Sequence, residues 1–192
     1  MAASGSRETR LVGDIGGTNT RLALFDPVAG DLQQVRAYTN REFPSLQNVI
    51  ARWLEESAQP PPKLCCLAVA APPFDDRVKM LNMNWSFSRS EIGRRFQFSH
   101  TVCINDFEGN AYALPHLADQ DLQVLRSATQ PSTKKLAIVG PGTGLGGATL
   151  SYCNETPVAN PSEPGHMSLS PANKLEIEVF RALRPDGGEI WA

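Results

Sequence analysis

The sequence predicts an α/β fold in which mixed sheets are flanked by helices. Two observations lead to this prediction. Apolar runs of strand length alternate along the chain with amphipathic segments of helix length. In addition, a strand, a glycine–threonine turn and a second strand occur twice, around residues 12–18 and 139–144, as an internal repeat that opens two α/β segments.

The chain is predicted to begin with an antiparallel meander. Strands are expected at 11–15 and 21–26, with a hairpin turn at 16–20 between them, and a third strand at 34–39. A helix is predicted from Pro44 to Ser57, and Pro44 suits its first position. Its apolar face consists of Leu46, Val49, Ile50, Trp53 and Leu54.

The run from Leu64 to Ala71 is continuously apolar, as is typical of a strand buried on both faces. A short helix is predicted at 88–96 and another buried strand at 101–104. A further helix is expected from the Asn105–Asp106 pair to about Leu114.

The segment 118–135 is polar and marks a predicted domain boundary. The predicted organisation is a disordered tail at 1–10, a small α/β domain at 11–133 and the start of a larger α/β domain at 134–192. In the latter, strands are expected at 136–139 and 148–152, and a helix at 174–184.

Composition excludes several partners. The formal net charge is −2 and no long block of one sign occurs, so neither nucleic acid nor a membrane surface is an expected partner. No apolar run is long enough to span a bilayer. The four cysteines are expected to be reduced thiols of a cytoplasmic protein, mostly packed as small hydrophobic residues: Cys65, Cys66, Cys103 and Cys153.

The two glycine turns can hold phosphate. Glycines permit positive φ and let backbone N–H groups converge on phosphate oxygens, and a nearby aspartate can hold Mg²⁺ through its waters. Either turn alone is better explained as a simple hairpin; two such turns, one per domain, could hold a phosphate tail from both sides. No P-loop motif is present. Gly142, Gly144 and Gly147 match a dinucleotide fingerprint, but that site needs a helix where this sequence predicts a strand.

Gly13 to Arg21 resembles the first phosphate loop of the actin-like sugar kinases, and Gly140 to Gly147 resembles the second. From Leu11 onward, the chain is most similar to the bacterial glucokinases of the non-ROK type. The resemblance implies an actin-like (ribonuclease H-like) fold, ATP and Mg²⁺ as cofactors, and glucose and ATP as substrates; a homodimer is compatible with it. The ATP phosphate ligands it implies are Gly13, Asp14, Ile15, Gly16, Gly17, Thr18, Asn19, Gly142, Thr143 and Gly144.

The resemblance also implies a sugar site. Asp106 corresponds to the catalytic base that takes the proton of the attacking hydroxyl, and Asn105 to a sugar ligand. Considered alone, Asp106 could instead be the N-cap of the next helix. Glu163 and His166 correspond to two further glucose contacts, with Pro164 where the family usually has glycine. The alternative is that 163–166 forms only a polar turn.

Asn82 is a weaker sugar candidate, because it lies in a loop that Trp85 could simply pack. No zinc is expected, since no cysteine follows His166. Family members are longer, so the second domain is expected to be incomplete and the isolated chain to turn over poorly. The function expected is ATP-dependent glucose phosphorylation. The alternatives are a non-catalytic sugar-binding module or an actin-like ATPase without a sugar substrate.

Overall fold

A computed structural model describes residues 8–57, 61–73, 75–81, 83–127, 134–142 and 144–184. A mixed five-stranded sheet with the order β3-β2-β1-β4-β7 organises the first part of the chain. The first three strands form the predicted antiparallel meander, and β1, β4 and β7 run parallel. In chain order, the strands of this part are β1 (Arg10–Ile15), β2 (Asn19–Asp26), β3 (Asp31–Thr39), β4 (Leu64–Val69), β5 (Arg77–Lys79), β6 (Ser86–Ser88) and β7 (His100–Asn105).

Three helices accompany this sheet, namely α1 (Leu46–Ser57), α2 (Arg89–Phe96) and α3 (Asp106–Ala113). The predicted helix at 44–57 begins two residues later than expected. The Ser45 carbonyl accepts a hydrogen bond from the Val49 N–H, which places Ser45 at the cap and Pro44 outside the helix. The predicted apolar face is confirmed, because Leu46, Val49, Ile50 and Trp53 are fully buried.

Strand β4 is shorter than predicted and ends at Val69. Its burial alternates: Cys65, Leu67 and Val69 are buried, whereas the residues between them are half-buried. The prediction of a strand buried on both faces therefore holds fully for one face, whereas the other is only half-buried. Helix α3 covers the second face of β4 at Gly109. An added Cβ on Gly109 would be 3.4 Å from the Ala68 Cβ, so the helix and the strand are in close contact there.

The remainder of the described chain forms a three-stranded antiparallel sheet with the order β10-β9-β8. Its elements are β8 (Lys135–Pro141), β9 (Leu145–Cys153), β10 (Thr156–Ser162) and α4 (Lys174–Leu183). Strands β8 and β9 extend further into the glycine motif than predicted. Strand β10 was not predicted from the sequence, because it contains Pro157 and Pro161, which an edge strand tolerates and a central strand does not.

The chain divides into two compact units between Gly109 and Asn110, inside α3. The main apolar cluster belongs to the first unit, and its residues lie between Leu11 and Cys103. All four thiols are free, as predicted; Cys65 and Cys103 are buried, Cys66 is half-buried and Cys153 is exposed. Burial raises the pKa of the Cys103 thiol to about 12. None of the described helices has both the length and the hydropathy needed to cross a bilayer.

Candidate active site

The last residues of the three parallel strands β1, β4 and β7 lie opposite one another in the sheet. Ile15 of β1 lies opposite Val69 of β4, and Val69 lies opposite Asn105 of β7. The glycine turn after β1 and Asp106 after β7 therefore leave the sheet at the same carboxyl edge. Neighbouring strands are about 4.8 Å apart, so the ends of β1 and β7 are separated by roughly 10 Å. This edge is where open α/β sheets bind their ligands.

The first glycine turn is tighter than the sequence indicated. It comprises Gly16, Gly17 and Thr18, because Asn19 already belongs to β2. The Gly16 N–H donates to the Asn19 carbonyl at 3.0 Å within the turn. This bond occupies one of the predicted phosphate donors, which leaves the N–H groups of Gly17 and Thr18 as the candidates in this turn.

The residues before the turn have other contacts. Gly13 lies inside β1, where an added Cβ would be 2.7 Å from a Leu22 methyl and 2.9 Å from a Leu67 methyl. Ile15 is fully buried. Asp14 is half-exposed and pairs with Arg21 at 2.9 Å. Close packing thus explains the glycine at position 13, while the roles of these residues toward ATP remain predictions.

Helix α3 is capped by Asn105, one residue before Asp106, for which the cap was only the alternative role. Asn105 Oδ1 accepts from the N–H groups of Phe107 at 2.9 Å and Glu108 at 3.3 Å. In return, the Glu108 carboxylate accepts from the Asn105 N–H at 3.2 Å, which completes a reciprocal capping box. Asp106 is the first helical residue and half-buried, and its carboxylate accepts from the Phe107 N–H at 2.9 Å. Capping uses the Asn105 carbonyl oxygen, so its amide N–H groups are the part suited to a sugar hydroxyl.

A pocket of about 640 Å³ opens beside the first glycine turn. Gly17 and Thr18 form one wall, and the loop residues Met83, Asn84 and Trp85 form another. Asn82, the predicted sugar residue of this loop, lies outside the described residues. The third side of the pocket was not predicted, because nothing in the local sequence pattern around the end of β3 distinguishes its residues: Thr39, Asn40, Arg41, Phe43 and Pro44.

The second glycine turn repeats a feature of the first. Pro141 of β8 pairs with Leu145 of β9, and the Gly142 N–H donates to the Gly144 carbonyl at 2.8 Å. Among the described glycines only Gly30 has positive φ, so Gly16, Gly17, Gly142 and Gly144 do not use the positive φ that glycine permits. At Gly142 and Gly144 an added Cβ would have no close neighbour, so the turn is open. Thr143 lies outside the described residues.

The segment 163–166 forms a 3₁₀ turn beside β9. The His166 N–H donates to the Glu163 carbonyl at 3.0 Å, and both side chains are exposed. Pro164 is the first residue of the turn, a position that its fixed φ suits. An added Cβ on Gly147 would be 3.1 Å from the Pro164 ring, and one on Gly165 would be 3.0 Å from the Leu145 backbone. Glycines at 147 and 165 therefore let this turn pack on the start of β9.

The first unit thus brings its glycine turn and the Asn105–Asp106 pair to one edge, and the second unit brings its glycine turn next to Glu163 and His166. Among the described residues, no group of three His, Cys, Asp or Glu side chains is arranged to hold a metal ion. The assignments of these residues to ATP and sugar remain predictions.

Known proteins share this sequence and architecture. A family model described as Glucokinase matches residues 11–191. The curated glucokinase of Tolumonas auensis is 39% identical over 185 residues, which cover 96% of this chain and 57% of that relative. The chain therefore spans little more than half the length of the curated relatives it matches.

Solved structures show the same fold. A glucokinase from an Antarctic psychrotroph matches with a TM-score of 0.83 and 33% identity, over 96% of this chain and 59% of that one. The glucokinase of Balamuthia mandrillaris, solved in complex with glucose, matches with a TM-score of 0.72 and 25% identity, over 99% of this chain and 59% of that one. These likenesses confirm the predicted actin-like α/β fold.

Proposed function

Because the chain belongs to the glucokinase family, we propose that this protein transfers the γ-phosphate of ATP to the 6-hydroxyl of glucose. The observation that carries this proposal is the shared carboxyl edge, where the first glycine turn follows β1 and the Asn105–Asp106 pair follows β7, two parallel strands separated only by β4. A phosphate at the turn and a sugar hydroxyl at Asp106 lie within reach of each other there. The relatives named glucokinase support the choice of reaction and sugar.

In this mechanism, each residue has a defined task. Gly17 and Thr18 donate backbone N–H groups to the phosphates, and Gly144 does so from the second turn. The Asn105 amide, Glu163 and His166 orient the sugar by hydrogen bonds. The Asp106 carboxylate accepts the proton of the 6-hydroxyl as its oxygen attacks phosphorus, so the proton ends on Asp106 and the phosphoryl group on the sugar.

Mg²⁺ is the expected metal of the ATP complex. Carboxylate oxygens are the hard ligands that Mg²⁺ prefers, usually through retained waters, and Asp14 offers a half-exposed carboxylate directly before the first turn. Asp14 would hold the ion in exchange for part of its pairing with Arg21. When bound, Mg²⁺ neutralises the charge of the phosphate oxygens.

Replacing Asp106 tests the proposal. In the longest form of the protein, Asp106→Asn should lower kcat for glucose 6-phosphate formation by at least about 100-fold, because the amide cannot accept the proton. Glucose affinity should stay within a few-fold, since the amide keeps the shape of the carboxylate. A coupled assay measures kcat, and calorimetric titration measures glucose binding.

The matched control is Asp119→Asn, which changes an exposed aspartate in a 3₁₀ turn and should leave kcat unaltered. A variant at Asp106 that keeps more than about a tenth of kcat would remove Asp106 as the base.

Measurements of glucose binding, glucose phosphorylation and ATP hydrolysis by the unaltered protein separate the alternative functions. Binding of glucose without turnover would indicate a sugar-binding module, and ATP hydrolysis that glucose does not stimulate would indicate an ATPase.

A further inference from the structure

Asn40, a buried residue directly after β3, is hydrogen-bonded to the first glycine turn. Asn40 as a whole is only 3% exposed. The amide Nδ2 donates to the Gly16 carbonyl at 2.9 Å, and the Asn40 backbone N–H donates to the Thr18 carbonyl at 2.9 Å. One residue therefore fixes both the first and the last carbonyl of the turn.

The orientation of the Asn40 amide is determined by its partners. A carbonyl can only accept, so the Gly16 carbonyl requires the Nδ2 side of the amide. The Oδ1 side then accepts from the Thr20 hydroxyl at 2.8 Å, and Thr20 is fully buried. Each of these buried polar groups is satisfied by the others, and removal of one leaves a partner unpaired at a free-energy cost.

Asn40 also reaches the opposite wall of the pocket. Its Nδ2 lies 3.7 Å from the Met83 sulfur, a weak acceptor, in the loop that faces the turn. Gly17, Thr18, Asn40 and Met83 all line the same pocket. The Asn40 side chain therefore links the glycine turn to the facing loop.

We propose that Asn40, oriented by Thr20, is a positioning residue for nucleotide binding: it keeps the Gly16–Thr18 turn in one conformation, with the Gly17 and Thr18 N–H groups arranged for the phosphates of ATP. The inference rests on the proposed function for the identity of the ligand. Its physical basis is preorganisation, because a turn already fixed before binding loses less conformational entropy when the phosphate arrives. Because its amide is already engaged by the Gly16 carbonyl and the Thr20 hydroxyl, Asn40 acts through the turn and not directly on the ligand.

The test compares two substitutions at Thr20 in the longest form of the protein. Thr20→Val keeps the volume but removes the hydroxyl donor to Asn40, whereas Thr20→Ser keeps the hydroxyl. For Thr20→Val, we expect the KM for ATP to rise about tenfold, the loss typical of a buried hydrogen bond, while the KM for glucose stays within about twofold. Thr20→Ser should restore the KM for ATP to within about twofold of the unaltered protein.

Amide hydrogen exchange of Gly16 provides a readout that needs no catalysis. The Gly16 N–H is bonded within the turn, so a looser turn should raise its exchange rate about tenfold in Thr20→Val and in Asn40→Asp, but not in Thr20→Ser. Asn40→Asp keeps the acceptor for Thr20 and loses the donor to Gly16. Far-ultraviolet circular dichroism and thermal unfolding confirm that each variant is folded.

The outcomes separate this inference from the proposed function. If the unaltered protein phosphorylates glucose but folded Thr20→Val has the same KM for ATP and the same Gly16 exchange rate, the positioning role of Asn40 is wrong. Equal damage by Val and Ser at position 20 would also overturn it. If the unaltered protein neither binds ATP nor forms glucose 6-phosphate, the proposed function fails, and the positioning role for ATP fails with it, whatever the exchange rate of Gly16.

Discussion

The two glycine motifs need glycine for different physical reasons. At Gly13 the missing side chain makes room for core methyl groups of Leu22 and Leu67, whereas at Gly142 the space around an added Cβ is open. Both positions look alike in sequence, since each precedes or opens a glycine-rich turn. Only the packing around each residue distinguishes a glycine of the core from a glycine at a candidate ligand site.

This difference leads to a paired prediction. Gly13→Ala should lower the free energy of unfolding by about 1–3 kcal/mol, as overpacking a core usually does. Gly142→Ala should leave stability within about 0.5 kcal/mol, as for surface substitutions, and weaken ATP binding because a Cβ would stand where the phosphate approaches. Urea unfolding and ATP titration of both variants measure these effects. An Ala at 142 that lowers stability and leaves ATP affinity unchanged would assign this turn a structural role alone.

Helix α3 shows how one side chain serves an element and a site together. Asn105 caps the helix with its carbonyl oxygen and is expected to bind sugar with its amide nitrogen. The helix carries Asp106 at its first position, so the cap also fixes where the proposed base stands. Loss of the cap should therefore affect both the stability of the first turn of α3 and the position of the proposed base.

Two substitutions at Asn105 separate these tasks. Asn105→Ala should lower the free energy of unfolding by about 1 kcal/mol, the usual effect of losing an N-cap, and should also weaken glucose binding. Asn105→Asp keeps an oxygen acceptor for the cap, so stability should be retained while glucose affinity falls for lack of the amide donor. Denaturation and glucose titration measure the two effects. Full glucose affinity in Asn105→Asp would contradict the sugar role of the amide.

The two compact units differ in how much apolar surface they bury. The main apolar cluster lies in the first unit, around α1 and the central strands. In the second unit, α4 leaves four apolar side chains at least partly exposed: Leu175, Ile177, Val179 and Leu183. Since burial of apolar surface is the main source of stability, local stability should differ between the units.

Hydrogen exchange of the 192-residue chain tests this difference. We expect the amides of β1, β4 and α1 to be the slowest to exchange, and those of α4 to exchange at least about 100-fold faster. Peptide-resolved mass spectrometry after timed labelling measures both. Protection of α4 equal to that of β4 would mean that its apolar face is covered by another part of the protein or by a second copy.

Most of the elements could be predicted from local sequence patterns, because strand and helix periodicity, proline and glycine act over a few residues. Local patterns also indicated the two glycine turns and the family resemblance that the comparisons confirm. The hydrogen bonds of the Asn40 amide to Gly16 and to the Thr20 hydroxyl could not be predicted in this way, because they join residues 24 and 20 positions apart. Such contacts depend on strand order and register, which bring distant residues together, and a local pattern carries no record of them.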